Sequence, residues 1–458
     1  MSIREWRFSE IANVVNGQLV GADGFYTRVC TDSRQLKAGD FFVALAGERF
    51  DAHAFVAEAE KQGAVACLVS QAQAVKIPQI VVADTRIALG LFAAAWRAQF
   101  AIPVIGLTGS NGKTTVKEMI AAVLRQGGEV LATQGNFNND IGVPLTLLSI
   151  TAQHRAAVIE MGANHPEEIR YLTKLVKPTH GLITNAGPAH LEGFGSVEGV
   201  SKAKGELFEE LPASSVAIIN ADDVYASYWQ SLAEPRVVRR FGLNNDVTTD
   251  IRAQLNADGS AEVIAPAHKA HLKLQLPGAH NMRNALAALA VGAELALDFD
   301  SMIAALAALS PVKGRLMPVA GINGLNLLDD TYNANPASLR AALDVVSQLP
   351  GEAWLVLGDM GELGDNSIAM HADIGVRAKT LGITRLYAIG EFATAAAKAF
   401  GDGAEIFFDI ETLVAAVRSV ARANVNVLVK GSRAAKMERV IAGLLDTSSV
   451  TKPIAKKG

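Results

Sequence analysis

The sequence predicts an α/β protein of three domains, 1–84, 85–312 and 313–458: a small N-terminal α/β unit, a central doubly wound P-loop domain, and a C-terminal unit of dinucleotide-fold-like alternation. Three observations lead there. The 458 residues, half of them hydrophobic, exceed what one ordinary core holds. Short apolar runs alternate with helical periodicity along the whole chain. One of those runs empties into a glycine-bearing turn that ends in Gly-Lys-Thr and opens a helix.

In the first unit, 41–45, 66–69 and 80–83 read as strands and 53–62 as a helix; an alanine- and leucine-rich helix over 87–100 then bridges to the central domain. There the runs 156–159, 181–184 and 216–219 have the continuous apolar character of buried parallel strands. A helix over 197–211 carries Lys202 and Lys204, the stretch 247–276 breaks the pattern as an antiparallel excursion, and an alanine-rich helix follows over 284–297. Residues 310–314 form a break and a hinge candidate. The last unit has strands at 325–328, 353–357, 385–389 and 425–429, but no G-x-G-x-x-G follows any of them, so no nicotinamide cofactor is expected.

Net charge is −4, from 42 basic and 46 acidic residues without a long run of either sign, so no nucleic-acid surface is expected. No apolar run reaches the roughly 20 residues that cross a bilayer, and the N-terminus is charged where a leader would be apolar. A cytoplasmic monomer is the expectation. Cys30 and Cys67 have no metal-ligand or paired spacing and read as core thiols. The tail 452–458 reads as a frayed end.

The chemistry begins in Thr108-Gly-Ser-Asn-Gly-Lys-Thr-Thr115. Gly109 and Gly112 let successive N–H groups turn toward an anion, Lys113 adds a positive charge, and Thr114 offers a hydroxyl to a magnesium ion. The helix that follows, with Val116, Met119, Ile120, Val123 and Leu124 on one face, aims its positive end at the same phosphates. The general pattern would need a glycine at Leu107, where none stands. Glu160 ends a strand, where it is either a magnesium ligand or an exposed acid. His190 follows the next strand as a structural histidine or a ligand, and Lys202 and Lys204 read by themselves as solvated charges.

Together these pieces resemble the Mur ligase family, ATP-dependent amide-forming enzymes of peptidoglycan synthesis. Residues 108–115 are similar to that family's own loop, T-G-x-x-G-K-[ST]-[ST], which accounts for Leu107. Asn136-Phe-Asn-Asn-Asp-Ile-Gly-Val-Pro144, Glu160-Met-Gly162, His190, Leu276-Pro-Gly-Ala-His-Asn281 with Asn284, and Gly314-Arg-Leu316 follow in family order over nearly the whole chain. Asp329-Asp-Thr-Tyr-Asn-Ala-Asn-Pro-Ala-Ser338 and Leu357-Gly-Asp-Met-Gly-Glu-Leu-Gly364 resemble the branch that adds D-alanyl-D-alanine to a UDP-muramoyl tripeptide. The Asp-Asn-Pro-Arg signature of the branch adding the third residue is absent.

The resemblance implies ATP binding by Thr108, Gly109, Ser110, Asn111, Gly112, Lys113, Thr114 and Thr115, with Asn281 and Asn284 on the adenine side and Arg315 and Asp330 reaching ATP from the last domain. Asn281 has helix capping as a second reading. It implies magnesium ligation by Thr114, Glu160, His190 and Lys204, the lysine as a carbamate, with Lys202 as the fallback. Ser33 and Arg34, from a module similar to one that holds the UDP end, are expected to bind substrate, as are Asn136, Asn138, Asn139, Asn333 and Asn335. The implied reaction passes through an acyl phosphate, with Lys113, Glu160, His190 and Lys204 as its catalytic groups. The rival readings are a folylpolyglutamate synthase, the tripeptide-forming Mur ligase, a P-loop switch or mechanical ATPase, and a non-catalytic binding module. The Asn-Lys-x-Asp of a guanine switch does not occur.

Overall fold

The computed structural model describes residues 6–47, 50–244 and 247–446. The tail 452–458 and most of the charged N-terminal segment lie outside them.

Alternation along the central strands sorts side chains into two cores. Ile105, Leu107, Val158, Leu182 and Ile218 enter one, with the helices Lys113–Leu124 and Ala279–Glu294. Val104, Ala157, Ile159, Ile183 and Ile219 enter the other, with Glu168–Val176 and Val197–Glu209. Helices thus cover both faces of one sheet, as doubly wound topology requires. The sheet has nine strands in the order His268–Leu272, Ala261–Ala265, Ile251–Leu255, Val237–Gly242, Val216–Asn220, His180–Ile183, Val104–Thr108, His154–Glu160, Glu129–Ala132. The strands between Glu129 and Leu255 pair in parallel, and the last two strands fold back antiparallel as the expected excursion. Glu129–Ala132 and Val237–Gly242 are strands that the apolar runs did not signal.

The first sheet has five strands, Gln18–Val20, Gln79–Val81, Ala66–Val69, Asp40–Val43 and Arg28–Cys30 in spatial order. Phe8, Tyr26, Phe41 and Phe92 pack their rings beneath it. Phe92 comes from the helix Thr85–Arg97, which gives Leu89 to this core and Ala93 to the central one. Cys30 and Cys67 are buried free thiols.

The last sheet has six strands, Met317–Ala320, Asn326–Asp330, Val425–Lys430, Glu352–Gly358, Arg385–Ile389 and Ala404–Phe407 in spatial order. All but the first are parallel. The break at 310–314 joins the helix Phe299–Ala307 to this sheet, with Gly314 in the left-handed region at φ 73°. Among the described residues no helix is long and apolar enough to cross a membrane.

The helix that departs most from its expected bounds is the alanine-rich one. The alanine-rich helix starts at Ala279, because Pro277-Gly278 ends the preceding segment and Gly278 at φ 101° is its N-cap. Asn281 therefore lies inside the first turn and does not cap it; its amide donates to the Pro277 carbonyl at 2.8 Å. Alanines let this helix approach Lys113–Leu124 closely, and a Cβ on Gly292 would stand 2.8 Å from Val123.

Candidate active site

Parallel register sets what surrounds the phosphate loop. The strand Val104–Thr108 lies between two parallel neighbours, with Glu160 beside Leu107 on one side and Ile183 beside Thr108 on the other. Chain order reverses across this strand, since His154–Glu160 and His180–Ile183 flank it. Ligands of open parallel sheets gather at the carboxyl ends of strands at such a reversal.

The loop is held by backbone-directed bonds. Ser110 N donates to the Asn185 carbonyl at 3.0 Å and Ser110 Oγ to that of Gly187 at 3.2 Å. Asn185 grips Asn111 twice, accepting from its N–H and donating to its carbonyl, both at 3.0 Å. Gly109 and Gly112 have φ 145° and 81°, and a Cβ on Gly109 would stand 2.0 Å from Thr184 Oγ1. The Thr108 hydroxyl is buried with no partner among the described residues, and Thr115 is buried on the helix. Lys113 Nζ donates back to the Gly109 carbonyl at 2.6 Å. Burial lowers its ammonium pKa, against the pull of Glu160.

Glu160 is 2% exposed and receives Thr114 Oγ1 at 3.0 Å on one oxygen and Asn138 Nδ2 at 2.8 Å on the other. An aligned hydroxyl and carboxylate are hard oxygen donors that fit a magnesium ion. Asn139 caps its own turn, accepting from Gly142 N at 2.9 Å, and Asn136 accepts from Asn138 N through its carbonyl. Asn138 and Asn139 line a cleft of about 570 Å³ that also meets Lys113, His190, Arg86 and Tyr171.

Lys204 and Lys202 differ sharply. Lys202 is exposed and paired with Glu198 at 2.7 Å, one helical turn away. Lys204 is 1% exposed, with only a long approach of 3.5 Å to the Ala163 carbonyl, and its Nζ lies 5.1 Å from the centre of the Phe194 ring. The same ring meets His190 edge-on. Burial, with Lys113 nearby, brings the Lys204 pKa down to about 7, so much of it is a free amine at neutral pH. The solvated-charge reading holds for Lys202 and fails for Lys204. Among the described residues no three His, Cys, Asp or Glu side chains form a metal cluster.

The last sheet presents its own carboxyl edge to this one. Arg315 stacks on Tyr332 at 4.0 Å and donates to Thr114 Oγ1 at 3.1 Å. Asn335 donates to Asn111 Oδ1 at 2.7 Å while capping the helix Pro336–Ser347. Glu362 forms an ion-pair contact with His190 Nδ1 that lacks hydrogen-bond alignment. Asp330 faces inward, bonded to Lys430 at 2.5 Å, its register partner on the adjacent strand. Burial pushes the Asp330 carboxyl up and the Lys430 ammonium down, and their attraction opposes both shifts. Lys430 also donates to the Asn333 carbonyl at 2.9 Å. Asn284 lies against the loop, where a Cβ on Gly112 would stand 2.8 Å from its Oδ1, and it bonds Asn281.

The structure does not join Ser33 and Arg34 to this cluster by any described hydrogen bond or ion pair. They occupy the short turn Ser33–Gln35 on the first sheet, where Arg34 folds back on Asp32 at 2.8 Å and stays largely exposed. Sequence reasoning assigned no role to Asn185, Glu362 or Lys430. The signal for Lys430 was a lysine directly after the apolar run 425–429; Glu362 lies within 357–364 and Asn185 directly after the run 181–184, with nothing local to single them out.

Comparison with known proteins agrees with this geometry. Residues 26–97 match the model described as Mur ligase family, catalytic domain, 107–292 the Mur ligase middle domain, and 314–433 the Mur ligase, glutamate ligase domain. The chain is 44% identical over 446 residues to the UDP-N-acetylmuramoyl-tripeptide--D-alanyl-D-alanine ligase of Escherichia coli (strain K12), covering 96% of this chain and 98% of that one. A crystal structure of MurF from Acinetobacter baumannii aligns with TM-score 0.89 and 35% identity over 96% of this chain and 99% of that one. MurF ligase from Thermotoga maritima, solved in complex with ADP, aligns with TM-score 0.82 and 29% identity over 91% and 96%. With its phosphate loop, strand-end glutamate and last-sheet edge meeting in one place, the chain belongs to the Mur ligase family.

Proposed function

We propose that this chain joins D-alanyl-D-alanine to a UDP-N-acetylmuramoyl tripeptide at the expense of ATP, in the cytoplasm. The observation that carries the reading is the meeting of two sheet edges: groups for a nucleoside triphosphate on one, and three side chains of the last sheet reaching into them. The full-length relatedness to an enzyme of that name supports the same substrates.

A carboxylate is a poor electrophile, and phosphorylation makes it a good one. The tripeptide's terminal carboxylate attacks the γ-phosphorus, the bond to ADP breaks, and an acyl phosphate results. The dipeptide's amine forms the C–N bond, the C–O bond to phosphate breaks, and the ammonium's two surplus protons leave, one with phosphate and one to solvent. Both steps crowd anions together, so charge neutralisation and alignment are the protein's main contributions. Lys113 acts on the β- and γ-phosphates, the N–H groups between Gly109 and Thr114 cradle them, and Arg315 adds charge from the last sheet. Thr114 and Glu160 would hold one magnesium ion, and His190 with carbamylated Lys204 a second; magnesium supplies neutralisation of phosphate charge. The carbamate forms when the neutral Lys204 amine adds to carbon dioxide and releases one proton, which supports Lys204 over Lys202 as the modified residue.

Asn281 and Asn284 take the adenine side, Asn136, Asn138 and Asn139 the acceptor peptide, Ser33 and Arg34 the UDP end, and Asn333 with Asn335 shape the last-sheet loop. Division at 84 and 312 leaves the last unit free to swing about 310–314 and exclude water from the acyl phosphate. Solution scattering that stays unchanged when ATP analogue and tripeptide bind would refute that swing.

The deciding assay is phosphate release from ATP with the tripeptide, with and without D-alanyl-D-alanine. Release should depend on both, and release indifferent to both would overturn the ligase reading.

A further inference from the structure

Glu362 is held in an unusual way. It is a non-glycine residue at φ 61°, in the left-handed region that costs a side-chain-bearing residue strain. Its neighbours fix it there: Met360 and Leu363 are buried at 1% and 2% exposure, and Met360 N donates to His371 Nε2 at 2.9 Å. The result is a half-exposed carboxylate projected from the last sheet onto His190. A local outlier fixed by its surroundings at a junction of two domains is the pattern of a functional constraint.

Two other carboxylates near the phosphate loop are already engaged. Glu160 accepts from Thr114 and Asn138, and Asp330 is buried against Lys430. Among the described residues the one hydrogen-bonding or ion-pair partner of the Glu362 carboxylate is His190.

His190 lines one cleft, and the residues that directly follow His190 and Glu362 in the chain line another. His190 and Lys113 line the first, of about 570 Å³, on the central sheet. The second, of about 510 Å³, is bounded by Leu191 and the residues after it on one wall and by Leu363 to Asn366 on the other, the positions that directly follow His190 and Glu362. It contains no lysine, arginine or histidine, and Glu192 and Asp365 make it acidic.

We propose that Glu362 binds the ammonium group of the incoming dipeptide, which arrives through the second cleft while the acceptor's acyl phosphate lies in the first. The proposal rests on the ligase reading above and adds to it the residue that positions the nucleophile. An ammonium is attracted along an acidic cleft, meets a carboxylate held at the end of it, and is left beside the acyl carbon near Lys113. Glu362 is a binding residue for the second substrate and takes no part in forming the acyl phosphate.

The test separates the half-reactions in the full-length enzyme. Hydroxylamine, a small amine uncharged at neutral pH, can capture an acyl phosphate as a hydroxamate and needs no anionic anchor. Glu362→Gln should raise the KM for D-alanyl-D-alanine at least tenfold, leave the KM values for ATP and tripeptide within twofold, and retain hydroxamate formation. Glu362→Asp should recover part of the dipeptide affinity, and Glu192→Trp, which fills the second cleft, should raise the same KM without lowering hydroxamate yield. An unchanged dipeptide KM in Glu362→Gln would overturn the proposal, and so would an equal loss of hydroxamate. Wild-type enzyme that makes neither hydroxamate nor pentapeptide would overturn the ligase reading itself, a result distinct from either.

Discussion

At the edge of the nine-stranded sheet the reactive groups are fixed by the main chain and by burial; at the facing edge of the six-stranded sheet they arrive on three side chains. Lys113, Thr114 and Glu160 follow strands whose register is set by parallel pairing, and the loop between them is bonded to the segment 185–187. Arg315, Asn335 and Glu362 cross from one sheet to the other by single contacts. The first edge is preorganised for charge that is always present. On the swing proposed above, the second leaves and returns, as a domain that must admit a substrate requires.

Breaking the fixed edge should have the largest effect. Lys113→Ala removes the loop's own cation, and loss of one preorganised electrostatic group costs about 10²- to 10³-fold in turnover. Substrate-dependent phosphate release measures it, and a variant within tenfold of wild type would show that the last sheet supplies the essential charge.

Lys204 sharpens the comparison, because its burial works against folding. Lys204→Ala should lower turnover about 100-fold, with partial return on adding short-chain carboxylates, while Lys202→Ala stays within twofold. The folded pKa near 7 lies below the usual lysine value of 10.5, so between these values the unfolded chain binds more protons and stability rises with pH. The destabilisation is therefore full below about 7 and is relieved toward 10.5. With carbon dioxide removed so that Lys204 is an unmodified amine, Lys204→Met should raise Tm at pH 7 and narrow the gap at pH 9, as calorimetry at the two values would report; a lower Tm at pH 7 would mean the amine is well solvated or paired.

The fixed edge was largely legible in the sequence because its parts are local. A strand, two glycines, a lysine and a helix follow one another within 102–124, and Glu160 and His190 each follow an apolar run. The second edge was legible in segments but not in contacts. Asp330 and Lys430 are partners because two parallel strands one hundred residues apart lie in register, which nothing near either residue encodes. Lys204 was singled out over Lys202 only through resemblance, since its burial depends on how the helix Val197–Glu209 packs. The alanine-rich helix was placed late because its alanines obscure periodicity, although Pro277-Gly278 marked its start.

Weaker effects should follow at the movable edge. Arg315→Ala removes a guanidinium 3.1 Å from Thr114 but leaves the phosphate loop intact, so the KM for ATP should rise about tenfold with little change in Tm, the size of one charge-assisted bond. A loss equal to that of Lys113→Ala would place Arg315 in the fixed machinery.

Asn335 does two jobs that two substitutions can separate. Its Oδ1 accepts from Ser338 N at 2.9 Å as a helix cap, and its Nδ2 donates to Asn111 across the junction. Asn335→Ala loses both, and the cap alone is worth about 0.5–2 kcal/mol. Asn335→Asp keeps a capping oxygen but sets a carboxylate against Asn111 Oδ1, where a donor is needed. If the junction is held by replaceable single contacts, Asn335→Asp should have a Tm close to wild type and a KM for ATP raised only two- to fivefold, while Asn335→Ala should lose stability as well. A large loss of turnover in Asn335→Asp at unchanged Tm would mean that this contact, rather than charge on the fixed edge, aligns the loop for transfer.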